Sequence, residues 1–234
     1  VITRLVSLID DALRYDARGG IPVESFQHAE LYTASVDRYS SEDLISGRHG
    51  KTTLSLAEVH AEDRRTSRDS KGLTRTRYVN IFRGLLLIAD FHKHFRGRTF
   101  VFPDTAEKLF GAFGRSLQKL GGRSETRLVE LEDPEFESAF VVHGTNQVEA
   151  RYILSTAMMR RILSMRERFG KDIRIAFKDS CLWLAVPHGK SYLEPDTSIP
   201  ATDKKQIRSL WEEIRLFLDT IEELDLNTRI WTKE

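Results

Sequence analysis

Apolar residues recur every three or four positions at the start of the chain and every second position through its middle, so the sequence opens as helix and turns to sheet. In "VITRLVSLIDDALRY", Val1, Leu5, Ile9 and Leu13, flanked by Ile2, Val6 and Ala12, mark a helical stripe. Gly19 and Gly20 end it, and "IPVESFQHAELY" reads as a short second helix with Pro22 near its start. Beyond it β-branched and aromatic residues dominate, interrupted by Gly47, Gly50, Gly72 and Gly97. The pattern predicts four strands, near 42–47, 52–62, 76–92 and 98–102, joined mainly as hairpins. The third is apolar at every position around Leu85–Ile88, which suggests a central strand covered on both faces.

Further along, a short helix is predicted from Ala106 to about Leu120, ending at the joint "GGRSE". "TRLVEL" and "AFVVHG" read as strands, with a helical turn opened by Asp133 and Pro134 between them. Asn146 and Glu149 suggest a capping box, and Ser155 or Thr156 starts "AMMRRILSMRERF", closed by Gly170. Met158, Ile162, Met165 and Phe169 form one stripe of that helix and belong to the core. "DIRIAFKDSCLWLAV" reads as two strands about a tight turn at Asp179 and Ser180. The last helix carries Ile207, Leu210, Trp211, Ile214, Phe217, Leu218 and Ile221 on a broad apolar face. The expected fold class is α+β: a mostly antiparallel sheet built from hairpins, with an N-terminal helix, a mid-chain helix pair and a long C-terminal helix packed on it. The expected organisation is a helical segment over 1–35 and one α+β domain over 36–234, with a sub-division near 121–124.

Composition narrows the partners. With 36 Lys and Arg against 35 Asp and Glu the formal charge is +1, so no global field draws the chain to nucleic acid or an anionic membrane, and such a partner needs a local patch. Cys181 is the only cysteine, so no intrachain disulfide forms. This favours a reducing, intracellular setting with Cys181 as a core residue in "SCLWLAV". The longest strongly apolar run, "GLLLIA" from Gly84, falls far short of the ~20 residues of a membrane-spanning helix. The stripe that begins at Val1 has no capping residue before it, and the expectation is that it continues from an upstream part.

Two segments invite a chemical reading. "GRHGKT" at Gly47–Thr52 resembles half of a phosphate-binding loop, but the pattern requires glycine where Ile45 stands, and a helix where "TTLSLAEVHA" alternates like a strand. It reads as a hairpin turn. Glu58, His60 and Glu62 share one side of a strand and are suitable zinc or manganese ligands or an acid–base pair. Ala57, Val59 and Ala61 on the other side imply that the Glu and His side faces solvent or a cleft. Asp90, His92 and His94 repeat the spacing. A register that sets His60 opposite about residue 79 keeps the two trios on the order of 40 Å apart, and ligands two apart on a strand are wide for one ion. A solvated sheet face with cross-strand pairs to Arg75 or Arg77 is the plainer reading.

The segment between these strands, "EDRRTSRDSKGLTRTR", holds Arg64, Arg65, Arg68, Lys71, Arg75 and Arg77 against few acids. Such a basic loop suits phosphate groups of lipid or nucleic acid, although no aromatic interleaves to stack on bases. No serine sits in a nucleophile elbow, no Cys–His pair is suggested by spacing, and no dinucleotide glycine fingerprint follows a strand. No catalytic residue, cofactor or metal is assigned, and the nucleic-acid signal is not strong.

The phrases "SEDLISGRHGKT", "AEVHAE", "IFRGLLLIADFHKHFRGRTFVFPD", "LEDPEFESAFVV", "QVEARYIL" and "LNTRIW" resemble the bacterial family of domain of unknown function 3137, from about Asp37 to Trp231. The resemblance implies membrane proteins with apolar segments ahead of this domain, and brings no activity, substrate or catalytic residue. The chain departs from the family's phrases at His92, so a metal site there would be private to this protein. The expected function is a non-catalytic domain on the cytoplasmic side of a membrane, anchored upstream of Val1, that binds a protein partner or the anionic bilayer surface. The alternatives are a metal-dependent hydrolase using Glu58, His60 and Glu62, and a small-ligand sensor with a pocket between the sheet and the last helix.

Overall fold

A computed structural model describes residues 2–68, 73–90, 94–104, 126–188, 198–200 and 202–223. In it the alternating middle of the chain forms one nine-stranded sheet. The strands are β1 (Leu13–Asp16), β2 (Arg38–His49), β3 (Thr52–Arg68), β4 (Thr74–Asp90), β5 (Thr99–Pro103), β6 (Arg127–Leu128), β7 (Phe140–Gly144), β8 (Arg174–Lys178) and β9 (Cys181–Pro187). They lie in the order β1-β2-β3-β4-β9-β8-β5-β7-β6, and the ladders are antiparallel. Among the described residues six helices accompany them: α1 (Ile2–Ile9), α2 (Val23–His28), α3 (Pro134–Ala139), α4 (Gln147–Ile153), α5 (Thr156–Phe169) and α6 (Lys204–Glu223). The architecture is α+β. The helix expected at 106–120, the joint at 121–124 and the phrase "LNTRIW" lie outside the described residues.

The apolar run of β4 places it at the centre, between β3 and β9. Leu85, Leu87 and Ala89 join one core on one face, with Leu54 and Leu56 of β3 and the apolar sides of α1, α5 and α6. Phe82 and Leu86 point the other way, into a second core with Ala57, Val59, Ala61, Trp183 and Ala185. Residues 21–31 cover that second face through Ile21, Phe26, Ala29 and Leu31. Burying each of the leucine, valine, isoleucine and phenylalanine side chains stabilises the fold by roughly 1.5–3 kcal/mol, so a strand apolar on both faces is the best-anchored element of a sheet. Gly84 allows β9 to approach: its φ is +154°, and a Cβ there would stand 2.1 Å from the Val186 carbonyl oxygen.

Several boundaries depart from the periodicity. The first helix stops at Ile9 because the Asp10 carboxylate accepts the Ala12 N–H in a tight turn, and Leu13 goes on into β1 against Gly47 of β2. Leu13 fits either period, and only the neighbouring strand decides between them. "TRLVEL" shortens to the two-residue β6. Side chains of α4 donate to carbonyls of β6 and of the segment after it, Gln147 to the Leu128 oxygen and Arg151 to the Glu130 oxygen, which blunts that edge of the sheet. Asn146 and Ser155 cap α4 and α5 as their sequence suggests. Glu149, however, turns away from the box to accept the backbone N–H groups of Arg96 and Gly97. The β8–β9 turn has Asp179 and Ser180 at φ of 53° and 60°, the conformation a two-residue hairpin loop demands.

Candidate functional site

The β3–β4 hairpin is longer than its sequence pattern suggests. β2 leaves the sheet where Arg38 pairs with Glu62, and the β4–β9 ladder ends where Gly84 pairs with Pro187. Among the described residues, only β3 and β4 pair beyond Glu62, from Asp63 opposite Val79 to Arg68 opposite Thr74. Six residues per strand at ~3.3 Å each make a two-stranded ribbon about 20 Å long. Residues 64–68 and 73–77 are all exposed.

This ribbon carries the arginines that sequence reading assigned to a loop. Arg64, Arg65 and Arg68 stand in β3, and Arg75 and Arg77 in β4, while Lys71 lies outside the described residues. Threonines between the arginines favour the extended backbone, and mixed Arg and Thr on both arms gives neither face an apolar side to bury. The register sorts them. Arg65 is directly opposite Arg77 and Ser67 opposite Arg75, so Arg65, Arg75 and Arg77 share one face. Arg64 opposite Tyr78 and Arg68 opposite Thr74 share the other.

Asp63 is the only acidic residue of the described ribbon, and it accepts from Arg65 Nε at 3.3 Å and from Ser35 Oγ at 3.3 Å. The root is held from β2: Asp37 N–H donates to the Glu62 oxygen, the Asp37 carboxylate accepts the Arg64 N–H, and the Arg38 guanidinium lies 3.3 Å over the Tyr78 ring. At the far end Leu73 is 63% exposed.

Glu58, His60 and Glu62 sit at the inner end of the same strand, and their face is not uniformly wet as expected. It is the face of Leu54 and Leu56, so the row runs from core to solvent: Glu58 is 7% exposed, and His60 and Glu62 are half-buried. A bulge between Ala61 and Glu62 sets His60 opposite Arg83, not residue 79, and Glu58 and Glu62 face Leu85 and Asn80 across the ladder. Arg75 and Arg77, expected to pair with this trio, are beyond the bulge opposite Ser67 and Arg65. Within the trio His60 Nε2 lies 3.9 Å from Glu62 Oε1. β4 ends at Asp90, seven residues or about 23 Å beyond Arg83, and His92 lies outside the described residues. Among the described residues no three His, Cys, Asp or Glu side chains converge to hold an ion.

A groove of about 530 Å³ opens on the opposite edge of the sheet, lined by residues that include Glu130, Glu132, Arg151 and Met159. The seam between sheet and α6 is filled by Leu210, Ile214, Phe217 and Leu218, with Phe217 stacked on Phe169. No described helix is long and apolar enough to cross a membrane.

Residues 80–226 match the family described as protein of unknown function (DUF3137). The chain belongs to that family. No protein of curated function matches it. Among solved structures, this DUF3137 member is similar to the mycobacterial trehalose monomycolate transport factor A, at 9% identity over 95% of each chain with a TM-score of 0.40, a likeness that carries no argument about role. The matched region begins at Asn80 within β4 and lacks β3, so the whole of the ribbon, 63–68 and 74–79, falls outside it.

Proposed function

We propose that this domain is a non-catalytic interaction module that docks on the anionic cytoplasmic surface of a membrane through the β3–β4 ribbon. The observation that carries the reading is that the described residues of the ribbon set five exposed arginines against one aspartate beyond the rest of the sheet, with exposed Leu73 beside Thr74 where they end. An anionic leaflet attracts cationic side chains by on the order of 1 kcal/mol each, and an apolar residue at the leading end enters the interface. A two-stranded ribbon also has the width to enter the major groove of duplex DNA. Leu73 favours the bilayer, because a groove-reading tip gains from polar side chains.

Co-sedimentation with vesicles containing anionic lipid tests it. The wild type pellets, less so as salt rises, and a variant with Arg64→Glu, Arg65→Glu and Arg68→Glu binds at least about 100-fold more weakly, since the loss of three arginines' attraction alone gives that much. Equal pelleting of the two proteins rejects the reading. So does salt-sensitive binding to duplex DNA with none to vesicles.

A further inference from the structure

We infer that the Arg65, Arg75 and Arg77 face of the ribbon recognises the phosphomonoester headgroup of an anionic lipid, an inference that rests on the docking role above and adds a ligand class to it. The two faces of the ribbon differ in how their charges are spaced. On one, Arg65 and Arg77 occupy directly opposed positions, and Arg75 is two residues from Arg77 toward the tip. Opposed side chains in such a ladder start about 5 Å apart at Cβ and diagonal ones about 7–8 Å, so the three guanidiniums can close on one tetrahedral anion. On the other face Arg64 and Arg68 are separated by the Thr66–Thr76 pair, about 13 Å along the strand. Their side chains start more than twice as far apart as those of Arg65 and Arg77, so they meet on one phosphate less readily.

Like charges directly opposite each other destabilise a ribbon, and no third described strand flanks this one. An anion between Arg65 and Arg77 converts that repulsion into two charge-assisted contacts. Asp63 holds the Nε edge of Arg65, leaving the terminal NH₂ groups of the fork for a ligand. A phosphomonoester offers three terminal oxygens and about −1.5 to −2 charges at neutral pH, whereas a diester offers two oxygens and one charge. Three arginines on one face of the ribbon match the former. Leu73 at the end of the ribbon assigns the ester to a lipid rather than to a soluble metabolite.

The test compares phosphatidylcholine vesicles carrying phosphatidic acid with vesicles carrying phosphatidylglycerol at matched surface charge, using the full chain and inorganic phosphate as the soluble arm. The wild type binds the phosphatidic acid vesicles about tenfold more tightly. Arg65→Gln with Arg77→Gln brings the two affinities within twofold, while Arg64→Gln with Arg68→Gln, which removes the same charge, weakens both alike and keeps the preference. Equal wild-type affinity for the two vesicles overturns the inference and leaves membrane docking standing. A preference that survives Arg65→Gln with Arg77→Gln overturns it as well. Inorganic phosphate that binds as tightly as the vesicles overturns the lipid assignment. Failure to bind either vesicle removes the docking role itself.

Discussion

Lys178 Nζ lies 2.7 Å from Glu30 Oε1, and both side chains are almost wholly withdrawn from solvent. Arg98 Nη1 reaches the other oxygen of the same carboxylate at 2.8 Å, and Lys178 also donates to the His28 carbonyl. Arg174 donates to the Leu31 carbonyl. These contacts fasten residues 28–31 over the second core, where Ala29 and Leu31 are buried. Lys178→Met is expected to cost about 2 kcal/mol, less than the ~3–5 kcal/mol of an orphaned buried ion, because Glu30 keeps Arg98. Glu30→Gln should cost more, since two cations then lose their carboxylate. Urea denaturation of the three proteins orders these effects.

The Tyr32 hydroxyl is buried and has no hydrogen-bond partner among the described residues, while its ring stacks on Phe26 and lies under the Arg174 guanidinium. Burial pushes its ionisation well up, so it stays neutral. Tyr32→Phe keeps the ring contacts and removes the unpaired group. A gain of about 1 kcal/mol in thermal or urea denaturation is expected, and a loss of that size would mean that the hydroxyl is satisfied.

His49 joins the two ends of the chain, with Nδ1 2.8 Å from Asp10 and Nε2 3.1 Å from Glu222 of α6. Burial tends to raise the Asp10 carboxyl, but the Ala12 N–H and His49 outweigh it and hold it below the usual value. A carboxyl lowered on folding contributes stability above its unfolded value of about 3.9 and loses it as pH falls through the folded one. Asp10→Asn should therefore cost about 1 kcal/mol at pH 6, with the cost shrinking from about pH 4 downward. Denaturation curves of both proteins at pH 6 and pH 3 check the sign.

Burial raises the Cys181 thiol, and the Asp90 and Asp179 carboxylates raise it further. Alkylation by iodoacetamide at pH 8 should be slower than that of a free thiol, since only the thiolate reacts. Asp179→Asn keeps a residue that tolerates positive φ and should quicken the reaction roughly threefold. A rate above that of free cysteine in the wild type would return the thiol to consideration as a nucleophile.

Much of the frame was legible because burial leaves a periodic mark. The two-faced apolar run announced β4 as the central strand, the paired turn residues announced the β8–β9 hairpin, and Asn146 and Ser155 marked two helix starts. The arginine segment was harder to read. Sequence periodicity detects a strand by the apolar side it buries, and the ribbon buries neither, so its residues looked like a loop. Its pairing is held by backbone hydrogen bonds and by anchoring at the root, neither of which needs an apolar residue.

Glu58, His60 and Glu62 show the same limit from the other side. The alternation correctly put them on one face, but what covers a face depends on elements distant in the chain. By itself the sequence determined the fold class, the central strand, the DUF3137 resemblance and the presence of a cationic segment, because propensity, patterning and charge are local. Tertiary structure alone decided that β2 and β9 stop short, that Arg65 stands opposite Arg77 across the ladder, and that Glu58 is buried while His60 is only half-buried. Register and strand length come from long-range pairing, and a register shift of one residue exchanges the faces of every side chain involved.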